Sequence, residues 1–325
     1  MNLSGEVVLL ITHSGDFFTV DRVAENLVKL GAQPFRLDTD KFPGVVRLDL
    51  HVGNGGGSRI IYGENSIRTE QVRSVWMRRI WSPELSKDLV PRFQAACVRE
   101  SLATLEGLWD GLREAWWVDN LQRIGAAENK LRQLRVAQEI GLRIPRTLVT
   151  NNGEEVREFF RVVGGRMVAK LLTPLSQSMQ GSGFFLYTNA VKEEDLSDVG
   201  SLCYSPMVFQ EQIPKLRELR VVFVNGKLFV GALDASLYAD STADWRQLHD
   251  LNLLWQSHEL PAEIAHRLQI FMASFGLIFG AFDLIQTPSG EYVFLEVNPT
   301  GEWGMLERDL GYPISEAIAR ALLGV

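Results

Sequence analysis

Apolar and polar positions alternate along this chain with two different periods. Val7 to Ile11 is an unbroken apolar run of strand length, followed by the polar loop THSGDFF and by a stretch from Thr19 to Leu30 whose apolar residues recur at helical spacing before Gly31. QPFRL then predicts a second short strand. VVRLDLHV and RIIYG, on either side of the glycine-rich NGGG, predict a hairpin, and VRSVWMRRI a further strand. A helical pattern covers Ser86 to Glu114 with a break near Pro91, and the spacing predicts helices at Glu128–Ile140, Glu154–Val163, Pro261–Gly276 and Ile314–Leu323. Between them RTLVT, RMVAKLL, FFLYT, PMVFQEQI, LRVVFV and KLFVGAL read as strands. GAFDLIQ and EYVFLEVN form a last hairpin, in which strict alternation sets Phe294, Glu296 and Asn298 on one face and Val293, Leu295 and Val297 on the other.

The opening strand, loop, helix and strand resemble a Rossmann-like unit, although THSGDFF lacks the G-x-G-x-x-G spacing that would cradle a pyrophosphate. A chain of 325 residues with 46% hydrophobic content buries a sizeable core and divides into two or three units, with expected boundaries giving 1–120, 121–205 and 206–325. The net charge of −7 argues against a general nucleic-acid binder, which needs clustered surplus Lys and Arg. No apolar run approaches the roughly 18 residues that would span a membrane. Nor does a basic leader precede Val7 or a small-residue cleavage pattern follow Ile11. Cys97 and Cys203 lie far apart without metal-ligand spacing, which suits a reducing cytoplasm.

Chemistry concentrates in the second half. If the last hairpin turns on Ser289-Gly290, Asp283 lies directly opposite Glu296, with Asn298 on the same face. Facing carboxylates repel unless a divalent cation sits between them, and all-oxygen ligands suit Mg²⁺ or Mn²⁺ rather than zinc. A register one residue longer would put Asp283 on the wrong face and leave two solvated carboxylates. Lys170, inside VAKLL, needs an anionic partner such as phosphate, while Lys130 reads either as a surface lysine or as a second phosphate clamp. The loop TPLSQSMQGSG reads as a phosphate lid or as a plain surface hairpin. FQEQIPK stops at Pro214, where free backbone groups would read an adenine edge or the strand simply ends. Glu218 and Arg220 share a strand face, with Arg220 either gripping phosphate oxygens or pairing with Glu218. Five scattered histidines form no readable catalytic arrangement.

Taken in order, Lys130, Lys170, Gln210-Glu211, Glu218-x-Arg220, Asp283 and Glu296-x-Asn298 resemble the ATP-grasp ligases over roughly residues 120 to 310. The resemblance implies an α/β (α+β) ATP-grasp fold with an N-terminal Rossmann-like pre-ATP-grasp domain. It also implies ATP phosphates on Lys130 and Lys170, with the nucleotide further held by Gln210, Glu211, Ile213 and Glu218. Two Mg²⁺ ions would sit on Asp283, Glu296 and Asn298.

A narrower resemblance runs through LLITHSGDFF, PFRLDTDKFP, VWMRRIW, ELRVVFVNGKLF, ADWR and LEVNPTGEWGMLERDLGYPISEAIA. These stretches are similar to the microviridin peptide ligases, or graspetide synthetases, and most closely to the branch that joins Lys amines to Glu or Asp carboxylates as lactams. The resemblance implies a homodimer that cross-links a ribosomal precursor peptide. Arg220 and Arg246 would steady an acyl phosphate, although Arg246 equally reads as a surface residue packed on Trp245. Glu194, Asp195 and Asp198 in VKEEDLSD would bind the leader's arginine or are simply a solvated acidic helix, and Arg78 and Arg79 would attract the acidic core peptide or form ion pairs between domains. The alternatives are a lactone-forming relative, a ligase for free amino acids or protein tails, and a scaffold that binds ATP without turnover.

Overall fold

The computed structural model describes residues 6–53, 57–172, 188–237 and 254–325. Strand β1 (Val7–Thr12) is buried along its whole length, as a continuous apolar run requires when both sheet faces are covered. It lies between β2 (Gln33–Asp38) and the strand Val72–Met77, with parallel pairing throughout, and α1 (Thr19–Lys29) makes the crossover. Strands β3 (Val46–Asp49) and β4 (Arg59–Tyr62) form the expected hairpin. An additional strand, β5 (Asn65–Arg68), pairs with β4; its sequence NSIR carries one apolar residue and no alternation to announce it. Val72–Met77 is β6, and β7 (Trp116–Val118) completes the sheet order β2-β1-β6-β7.

Two helices differ from the sequence reading. The pattern expected from Ser86 becomes α2 (Gln94–Gly111), because Val90 is extended ahead of Pro91 and a single 3-10 turn, Pro91–Phe93, intervenes. The helix expected over Glu128–Ile140 is two helices, α3 (Leu121–Glu128) and α4 (Lys130–Glu139). Asn129 takes an extended conformation between them, and its side chain accepts from the Arg132 N–H at 3.0 Å. That cap puts Lys130 at the first position of α4.

The central sheet, order β10-β9-β11-β8, is antiparallel and consists of β8 (Thr147–Thr150), β9 (Met167–Lys170), β10 (Asn189–Val191) and β11 (Met207–Glu211). Helix α5 (Gly153–Val162) packs on it through Val156. VKEEDLSD is not an α-helix: Glu193–Ser197 is a 3-10 turn in which the Asp195 carboxylate accepts from the Lys192 N–H at 2.8 Å, and this local bond competes with helix propagation.

The third sheet, order β14-β13-β12-β15-β16, is antiparallel and contains β12 (Arg217–Val224), β13 (Lys227–Asp234), β14 (Gln256–Ser257), β15 (Phe279–Gln286) and β16 (Tyr292–Asn298). One face buries Val221, Phe223, Phe282 and Phe294 beneath α6 (Ala262–Phe275) and α4. The other contributes Val222, Val224 and Ala281 to a core shared with α7 (Gly304–Leu310), α8 (Ile314–Leu323), α1 and β1. Residues from both ends of the described chain therefore meet in one cluster.

Asp119 ties these parts together. Its carboxylate accepts from the Ile278 and Phe279 amides at 3.0 Å each, fixing the start of β15 to the end of the first sheet. Burial outweighs those donors and pushes the Asp119 carboxyl up to about 6. Asp119→Ala is expected to lower unfolding free energy by about 2–4 kcal/mol, because two buried amides lose their acceptor. The folded value lies above the ordinary 3.8, so this group's contribution is complete below that pH and disappears as pH rises to about 6. Thermal melts should therefore show wild type losing stability over this window relative to Asp119→Asn, which does not titrate.

Candidate active site

Strands β15 and β16 place the two carboxylates opposite each other, but by a different route from a two-residue turn. The connection runs from Thr287 to Glu291, closed by the Thr287 N–H to the Glu291 carbonyl and the Gly290 N–H to the Thr287 carbonyl, both 2.9 Å. Next to it Gln286 pairs with Tyr292, Ile285 with Val293 and Leu284 with Phe294. Continued unchanged, that register would put Asp283 opposite Leu295 and turn Glu296 toward the helices. A bulge at Leu295 takes up one residue, and beyond it Asp283 pairs with Glu296 and Ala281 with Asn298. Phe294 accordingly departs from the expected face. It is fully buried with Val297 under α6, its ring 5.1 Å from that of Phe271.

The side chains converge as expected. Asn298 Nδ2 lies 3.2 Å from Asp283 Oδ2 and 3.3 Å from Glu296 Oε1. Neither carboxylate is well solvated, with 25% and 14% of the Asp283 and Glu296 side chains exposed. Protein cations offset their repulsion: Lys130 Nζ is 2.6 Å from Glu296 Oε2, and Arg220 Nη1 is 3.3 Å from Asp283 Oδ1. Arg220 lies directly across from Asp283 on β12, is buried, and keeps Nε and Nη1 without hydrogen-bond partners. The open choice for Arg220 is thereby resolved against Glu218, which instead pairs with Lys215. Among the described residues no group of three or more His, Cys, Asp or Glu side chains could hold a metal, so the donor set here is two carboxylates and an amide. Such oxygen donors fit Mg²⁺ or Mn²⁺, and the Arg220 guanidinium beside them, whose Nε and Nη1 make no hydrogen bond, fits phosphate oxygens.

Gln133 was missed by the sequence reading. Only 2% exposed, it donates to the Val297 carbonyl and accepts from the Val297 N–H, both at 2.8 Å. Val297 lies between Glu296 and Asn298, so an amide from α4 holds the edge strand at the point where both side chains project. The available signal was its i,i+3 spacing from Lys130, which puts both on one helix face.

The adenine-side candidates lie on β11 and the segment after it. Gln210 is buried and donates to Thr147 Oγ1 at 2.9 Å, so its amide is engaged within the central sheet. The Glu211 N–H donates to the Arg146 carbonyl at 2.9 Å and its carboxylate accepts from the Arg146 N–H at 3.3 Å, while Ile213 packs against Ile285 and Val293 of the β15–β16 hairpin. Lys170 ends β9 opposite Val208 and is half-buried.

Residues 7–125 match the MvdD pre-ATP grasp domain family. No match was found among curated proteins. Among solved structures, the macrocyclase MdnB from Microcystis aeruginosa MRC is 57% identical, covering 98% of this chain and 99% of its own, with a TM-score of 0.83. MdnC from the same organism, bound to precursor peptide MdnA, is 34% identical over 98% of this chain and 100% of its own, with a TM-score of 0.89. The chain belongs to the microviridin-type ATP-grasp macrocyclases. A RiPP-associated ATP-grasp ligase from Chryseobacterium gregarium, in complex with ADP and a leader and core peptide, is 30% identical over 98% of this chain and 97% of its own, with a TM-score of 0.89.

In this macrocyclase the acidic leader candidates are exposed on the 3-10 turn, where Glu194 pairs with Lys192 at 3.2 Å and Asp195 caps its own turn. Asp198 follows at the end of that turn. Arg78 forms an ion pair with Glu302 in the turn after β16, whereas Arg79 is partly exposed and 3.7 Å from the same carboxylate. Arg246, the whole TPLSQSMQGSG loop and all of the FFLYT strand but Thr188 lie outside the described residues.

Gln133→Leu should leave the Val297 N–H and carbonyl buried without partners, lowering unfolding free energy by about 2–4 kcal/mol in urea titrations. Hydrogen exchange at the Val297 amide should accelerate in the same variant.

Proposed function

We propose that this ligase closes rings in a ribosomally made precursor peptide by joining a Lys amine to a Glu or Asp side-chain carboxylate as an amide. The observation that carries the reading is the convergence of Asp283, Glu296 and Asn298 with Lys130 and Arg220. Family membership adds that the acid and the amine belong to a peptide. A free carboxylate does not react with an amine in water. One of its oxygens therefore attacks the terminal phosphorus of ATP, the bond to ADP breaks, and an acyl phosphate results. The amine then attacks the acyl carbon, loses a proton to solvent, and phosphate leaves.

Asp283, Glu296 and Asn298 would hold two Mg²⁺ ions, which supply charge neutralisation to the phosphates when bound. Lys130 and Lys170 steady the phosphate tail, while Gln210, Glu211 and Ile213 border the adenine and Glu218 the ribose side. Arg220, whose Nε and Nη1 make no hydrogen bond at the same edge, grips the transferred phosphoryl group or the developing oxyanion, assisted by Arg246. Glu194, Asp195 and Asp198 receive an arginine of the leader, and Arg79 attracts the acidic core. The amide branch is favoured by the resemblance of the stretches that run through the whole chain. Residues 1–120, 121–205 and 206–325 act as pre-ATP-grasp, central and C-terminal units of a cytoplasmic homodimer. No helix among the described residues is long and apolar enough to cross a membrane.

A leader-bearing core peptide incubated with enzyme, ATP and Mg²⁺ should lose one water mass per ring, with tandem fragmentation locating amide links. Mild alkaline opening of the rings would identify esters instead, and absence of water loss with ATP binding intact would sink the reading. Glu296→Gln should lower kcat by roughly 100-fold or more while leader-peptide affinity stays unchanged, since the lost carboxylate is remote from the leader turn.

A further inference from the structure

Arg78 leaves β6 at the carboxyl end of the parallel sheet, the edge at which open α/β sheets commonly bind ligands. Here the side chain is 1% exposed and crosses to the turn that follows β16. Its Nη1 donates to the Thr300 carbonyl and its Nη2 to Glu302 Oε2, each at 2.5 Å, while Nε is 3.6 Å from Asp16 Oδ2. Asp16 is itself held by the hydroxyls of Thr12 and Thr19 at 2.6 and 2.7 Å. The guanidinium is thus anchored in the first sheet and grips the far turn at two points.

That turn has little slack. The Gly301 N–H returns to the Asn298 carbonyl at 3.0 Å, and a Cβ on Gly301 would come within 2.5 Å of the Ala281 Cβ and 3.0 Å of the Asn298 Cβ. Glu302, besides receiving Arg78, accepts the Gly304 amide at 3.2 Å through Oε1. Any displacement of Thr300 and Glu302 must therefore be passed to Asn298, whose amide bridges Asp283 and Glu296.

We infer that Arg78 is a positioning residue for the metal site: the N-terminal sheet sets Asn298 through the Arg78 fork on Thr300 and Glu302. The inference rests on the proposed metal role of Asp283, Glu296 and Asn298. Arg73, on the same strand, provides an internal comparison, because it also reaches the C-terminal part of the chain, donating to the Leu323 carbonyl at 3.1 Å, but lies away from the turn.

The test is Mn²⁺ binding followed by electron paramagnetic resonance in the presence of ADP, with melting temperature and metal-free ADP affinity measured on the same full-length samples. Arg78→Met and Glu302→Gln are expected to weaken Mn²⁺ binding roughly tenfold, the scale of losing a partner that orients a ligand. Arg78→Lys should fall between them and wild type, since a single ammonium does not reproduce the two-pronged grip. Arg73→Met should lower the melting temperature and leave Mn²⁺ affinity unchanged. Folded Arg78 or Glu302 variants with wild-type Mn²⁺ affinity would overturn the inference, and Glu302→Gln, nearly isosteric, keeps that outcome accessible if Arg78→Met does not fold. Failure of wild type itself to bind Mn²⁺ with ADP would instead remove the functional reading on which the inference stands.

Discussion

Two carboxylates held across neighbouring strands and mostly withdrawn from water repel one another unless positive charge stands close by. Asp283 and Glu296 are in that position, and the chain meets the cost from two directions. Lys130 arrives from the first turn of α4, and Arg220 from the adjacent strand β12. Ion pairs at this depth contribute little net stability, because desolvation cancels much of the attraction. Their effect is on charge and placement. The edge of the sheet becomes a place where anionic oxygens and cationic nitrogens interleave, which suits a polyphosphate accompanied by divalent cations.

Holding that arrangement at an edge strand demands backbone control. The bulge at Leu295 rotates Glu296 into line with Asp283, and Phe294 on the other side of it anchors the strand beneath α6. Gln133 then occupies both hydrogen-bonding groups of Val297, which no further strand pairs on that side. Lys130 and Gln133 lie one turn apart on α4, so a single helix supplies both a charge to Glu296 and a brace to Val297 between Glu296 and Asn298. The Asn129 cap that starts α4 sets the phase of that helix and hence of both side chains.

The sequence made the periodic parts legible. The strand-helix-strand opening, the sheets and the facing of Asp283 and Glu296 all follow from apolar spacing and turn residues. Local breaks were harder. Asn129 interrupts a pattern that remains helical on both sides, and the β5 strand carries a single apolar residue, Ile67, between polar neighbours. The pairing of Asp283 with Glu296 was anticipated through a shorter turn, and two differences cancelled: the longer connection shifted the register by one residue and the bulge shifted it back. Only the face of Phe294 betrays the change. Gln133 and the Arg78 fork depend on contacts distant in sequence, and neither residue type announces such a role by its spacing.

Helix α8 packs against α1 in a cluster where Ile314, Ile318 and Leu322 join Val8, Leu10 and Val23. A ribosome delivers β1 and α1 long before it delivers α8. During synthesis the emerging first sheet must wait with a greasy flank uncovered, a state that invites chaperone capture or self-association. The first sheet therefore gains its full cover only once residues 314–323 have been made, and this later helix acts as the keystone that locks the earlier sheet.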